Sequence, residues 1–105
     1  MGGMNKVNQR KWKDIVRKHF EKALEELMKK PELSRWIKDV NISIPDEEEL
    51  DLKLEFVLQD LDTRKLLELA DMIAEVEWNL FEKYNEFPAV YWNFHPQRNS
   101  ASEHA

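Results

Sequence analysis

Over residues 9–30 the apolar side chains Trp12, Ile15, Val16, Phe20, Ala23, Leu24, Leu27 and Met28 recur every three or four positions. That spacing lines one side of a helix. Asn8 stands before the pattern as an N-cap, Lys29 and Lys30 suit the negative end of the helix dipole, and Pro31 cannot extend the intrahelical bonding. Residues 32–35 read as a linker. From residue 36 to residue 44 the period changes to two, with Val40, Ile42 and Ile44 alternating with Asp39, Asn41 and Ser43, the mark of a half-buried strand.

The acidic stretch Pro45-Asp46-Glu47-Glu48-Glu49 breaks this alternation, which resumes with Leu50, Leu52, Leu54, Phe56 and Leu58 facing away from Asp51, Lys53, Glu55 and Gln59. The two strands are expected to pair as an antiparallel hairpin. Asp60 or Asp62 caps a second long helix, whose apolar positions Leu66, Leu69, Ala70, Ile73, Val76, Leu80 and Tyr84 continue to Phe87-Pro88. Val90, Trp92 and Phe94 then alternate with Tyr91, Asn93 and His95 in a third strand that Pro96 stops.

The fold class that follows is α+β, with element order α-β-β-α-β. Because a helix joins the second strand to the third, those two strands should run parallel, leaving both helices on one face of a three-stranded mixed sheet, half of a ferredoxin-like arrangement. The opposite face, carrying Asp39, Asn41, Asp51, Glu55, Tyr91, Asn93 and His95, is polar enough to stay wet. Within the 105 residues we expect a flexible N-terminus at 1–8, one domain at 9–95 and a disordered polar tail at 96–105.

Composition narrows the chemistry. There is no cysteine, which removes disulfides, thiolate zinc sites and thiol nucleophiles and points to the cytoplasm. Both glycines lie at positions 2 and 3, so no glycine-rich phosphate loop or nucleophile elbow is available. No apolar run approaches the length of a membrane span. The net charge of −5 conceals an asymmetry: residues 1–38 hold 11 Lys and Arg against 5 Asp and Glu, and residues 39–105 hold 5 against 16. The basic half carries Arg10, Lys11, Lys13, Arg17, Lys18 and Lys22, which spread around the polar side of the first helix and read as a solvated face or as a complement to the acidic half.

Of the three histidines, His19 borders the apolar stripe and reads as structural. His95, at a strand end, is the weak candidate for a metal ligand. The acids around residue 48 lack the alternating ligands and central glycine of a calcium loop and read as a solvated hairpin tip. Trp78, Phe81 and Tyr91 exceed what one buried stripe per element needs and are the candidate interface residues.

The element order together with the segment Ala89-Val90-Tyr91-Trp92-Asn93-Phe94-His95-Pro96 resembles, over residues 12–96 and in topology only, the small cytoplasmic domains of cation-diffusion-facilitator transporters. The resemblance implies a dimeric, metal-responsive domain, although no complete ligand set maps onto this chain. The leading expectation is a non-enzymatic protein-interaction or regulatory module acting as a homodimer, with no cofactor. The alternatives are a metal-responsive domain built on His95 and nearby acids, and a nucleic-acid accessory protein that uses the basic helix.

Overall fold

The computed structural model describes residues 6–97. Six elements follow in order: α1 (Lys6–Leu27), α2 (Pro31–Trp36), β1 (Ile37–Ser43), β2 (Leu52–Leu58), α3 (Thr63–Tyr84) and β3 (Val90–Pro96). The architecture is α+β in the expected order, with one short helix added. β2 is the central strand, antiparallel to β1 and parallel to β3.

β2 shows why the sheet has one dry face. Leu52, Leu54, Phe56 and Leu58 are completely buried, while Lys53, Glu55 and Val57 between them are half-buried on the other side. Val16 and Phe20 of α1 and Leu69, Ile73 and Leu80 of α3 join the same core cluster, so both long helices cover one sheet face. α1 and α3 run antiparallel: Tyr84 packs edge-on against Trp12 and His19 at one end, and Lys30 donates to Glu68 across 2.9 Å at the other. Accepting that bond, the Glu68 carboxylate holds Lys30 above the usual ammonium value.

Several boundaries depart from the sequence reading. α1 begins at Lys6, so Asn8 lies inside the helix, and it ends at Leu27, where Lys29 and Lys30 donate instead to carbonyls three residues back. Residues 32–35 are not a linker. Pro31 occupies the first turn of α2, where its missing N–H costs nothing, and Leu33 and Trp36, three residues apart, bury one side of that single turn and a half. The Trp36 indole N–H donates to the backbone carbonyl and the carboxylate of Asp60, which ties α2 to the end of β2. α3 is capped as expected by Asp62, whose carboxylate accepts from Lys65 N–H at 3.1 Å. It ends at Asn85 in the left-handed region, φ 59°. The ordered sheet extends past the expected domain limit at residue 95: Pro96 belongs to β3, and Gln97 N–H donates to Leu58 O. The remainder of the expected N-terminal segment and tail, residues 1–5 and 98–105, lies outside the described residues.

Both outer strands are edges, and each is blunted in the same way. Asp39 Oδ1 accepts from the N–H of Val40 on β1, and Asn93 Oδ1 accepts from the N–H of Phe94 on β3. A side chain thus occupies a donor that a foreign strand would use. β1 also carries an irregularity between Ile37 and Asp39, a further obstacle to regular pairing.

Candidate functional site

Three surfaces compete for attention. The first is the open face of the sheet. The strand registers place Ser43, Lys53 and Tyr91 in one row, Asn41, Glu55 and Asn93 in the next, and Asp39, Val57 and His95 in the third. Lys53 Nζ lies 3.5 Å from Glu55 and 5.7 Å from the centre of the Tyr91 ring. Asn93 Nδ2 donates to the Tyr91 hydroxyl at 3.4 Å. This face is a polar network with a single exposed aromatic. His95 is exposed and flanked across the sheet by Val57. Among the described residues no three His, Asp or Glu side chains come together in a group that could hold a metal ion.

Asp51 is not part of that open face or of a loose acidic tip. It directly precedes β2, and its Oδ2 accepts from the Trp12 indole at 3.0 Å and from Ala89 N–H at 2.9 Å. One carboxylate therefore joins α1, the start of β2 and the start of β3. The acids beside it, Asp46, Glu47, Glu48 and Glu49, are exposed.

The second surface is the basic side of α1. Arg17 is engaged by Asp14 at 3.5 Å and Glu21 at 3.9 Å, and Lys13 donates to the Glu47 carbonyl at 3.2 Å. Arg10 is exposed. Lys11, Lys18 and Lys22 are also exposed and, within the broad spread of the basic residues, fall at i, i+7 and i+11, one line along the helix. His19 turns away from that line: its Nδ1 lies 2.9 Å from Ile15 O and its ring meets Tyr84 edge-on.

The third surface is aromatic. The core stripe of α3 is Leu69, Met72, Ile73, Val76 and Leu80. A second apolar row, Leu67, Ala74, Trp78 and Phe81, recurs at i, i+7, i+11 and i+14 on the side turned from the core. Leu67 is 60% exposed and Trp78 54%. After the helix turns at Asn85, Phe87 folds back to complete a three-ring cluster. Trp78 and Phe81 stack at 5.6 Å, Phe81 and Phe87 at 4.7 Å, and Trp78 and Phe87 lie 5.3 Å apart. Half-burial of Glu77, on the same helix, raises its carboxyl above the ordinary value.

The structure thus brings Trp78 and Phe81 together and places Tyr91 elsewhere, on the far side of the sheet. Leu67 and Phe87 join the exposed apolar surface without having been singled out from the sequence. The signal was the second i, i+7, i+11 row, which is hidden while a helix is read for only one stripe. Among the described residues no helix is long and apolar enough to cross a membrane. No family model, curated protein or solved structure matches the chain, so its surface geometry carries the functional reading.

Proposed function

We propose that the chain is a non-enzymatic protein-interaction module that acts as a homodimer, and that the outer face of α3 is its contact surface. The observation that supports this reading is the row of exposed Leu67, Ala74 and Trp78 and half-buried Phe81, with Phe87 stacked against its end. Scattered exposed apolar residues are ordinary, but aligned and mutually stacked aromatics are what the buried centre of an interface is made of. The open sheet face is polar and its two edges are blunted, which favours the helical side over strand addition.

The test is Trp78→Ala, singly and with Phe81→Ala, followed by sedimentation. Trp78 is outside the core, so the variant is expected to keep its helical signal while its self-association weakens at least tenfold, as for a central aromatic anchor. Unchanged self-association in the double variant would refute the assignment of this face.

A further inference from the structure

An open groove runs between α1 and α3. One end is lined by Glu68, Asp71 and Glu75 and the other by Lys18, Lys22 and Lys83, while Ala23 and Val76 line both ends. Glu26 of α1 and Lys83 of α3 also line it, but the outer ridges of its two banks carry opposite excess charge. On α1, Lys11, Lys18 and Lys22 form an exposed basic line, which exposed Glu25 ends at i+14. On α3, Asp71, Glu75 and Glu82, at i, i+4 and i+11, form an exposed acidic line that exposed Arg64 precedes at i−7, and Trp78 stands beside it, three residues from Glu75 and four from Glu82.

Several of the charges around these two ridges are paired. Lys30 pairs with Glu68 at 2.9 Å, Lys29 with Glu26 at 3.3 Å and Arg17 with Asp14 at 3.5 Å. None of the six ridge residues takes an ion pair among the described residues. The groove keeps the ridges apart within one chain, so each remains available to a complement from outside.

We infer that this complement is a second copy of the chain, docked about a two-fold axis parallel to α1 and α3, so that the basic ridge of each copy lies on the acidic ridge of the other. The inference rests on the homodimer reading and specifies its register. A two-fold along the groove exchanges its banks, which is the condition an isologous contact must meet. A polyanion such as nucleic acid would find the basic ridge but would meet the acidic one a helix width away. The contact would place four helices between two outward-facing sheets and carry Trp78 into the interface. Two 22-residue helices, each about 33 Å long and roughly 10 Å across, present a face near the ~800 Å² per partner of a specific interface.

The experiment uses two charge-reversed chains, Lys18→Glu with Lys22→Glu and Glu75→Lys with Glu82→Lys, the ridge residues that lie level with one another along the groove, studied alone and mixed by native mass spectrometry and sedimentation. All four positions are exposed, and circular dichroism checks that each chain is helical. Each reversed chain alone should lose self-association by about a hundredfold or more, because every altered contact turns from attraction to repulsion. The equimolar mixture should form a heterodimer, and a chain carrying all four substitutions should dimerise like the wild type. If either reversed chain fails to fold, that fourfold-reversed chain and a salt titration of the wild type read the same contact. Its affinity should fall between about 0.05 and 0.5 M salt as screening shortens. A wild-type dimer that tolerates both reversals, or is indifferent to salt, would overturn the ridge contact and leave a homodimer through another surface. A wild-type monomer would overturn the homodimer reading as well.

Discussion

A single carboxylate, Asp51, shows how much one side chain can organise in a small core. It accepts from Trp12 and from Ala89 N–H, and its own N–H donates to Ala89 O at 2.8 Å. Asp51→Ala leaves an indole and a backbone donor without their charged acceptor and should cost about 2–3 kcal/mol, read as a lower urea midpoint. In sequence Asp51 ends an acidic run and falls on the polar parity of its strand, so nothing local distinguishes it from the solvated acids beside it. Only the meeting of three distant segments gives it a role. Glu77 makes the converse case. Burial raises its folded-state value above the unfolded one, so the folded protein holds that proton more tightly, and the stability this provides is present at low pH and lost as pH rises through the raised value. Glu77→Gln, uncharged throughout, should therefore raise the melting temperature at neutral pH and leave it unchanged well below the carboxylate range. An equal effect at both pH values would refute this account of Glu77.

At the scale of elements, period alone made α1, α3 and the three strands legible, because each buries one face against the same core. The strong alternation of β2 matches its completely buried and half-buried positions residue by residue. α2 was hidden because six residues are too few to display a period, and its stability comes from burying Leu33 and Trp36 rather than from helix propensity. For α3, Asp62→Ala should cost about 1 kcal/mol through loss of its N-cap bond, measured by chemical denaturation. The edge strands yield a prediction about solubility. Removing both blunting side chains, Asp39→Ala with Asn93→Ala, frees the N–H groups of Val40 and Phe94 and should increase light scattering on incubation at constant helical content. No change in scattering would show that the two side chains do not guard the edges.

For the whole molecule, the charge asymmetry between the halves was visible in the sequence, but its geometry was not. The basic half supplies α1 and the acidic half supplies α3, and the fold sets them side by side with their unpaired ridges along one groove. The interface candidates read from sequence were divided by the same fold, with Trp78 and Phe81 on the helical side and Tyr91 on the sheet side. A homodimer through the helical side leaves the polar sheet face, including His95, open to solvent. Whether this chain pairs with itself is read directly by sedimentation velocity of the untagged wild type from low micromolar to high micromolar concentration. A homodimer should sediment as a species of twice the chain mass of 12.6 kDa that gives way to monomer only on dilution or at high salt. A single species of one chain mass across the whole range would contradict it.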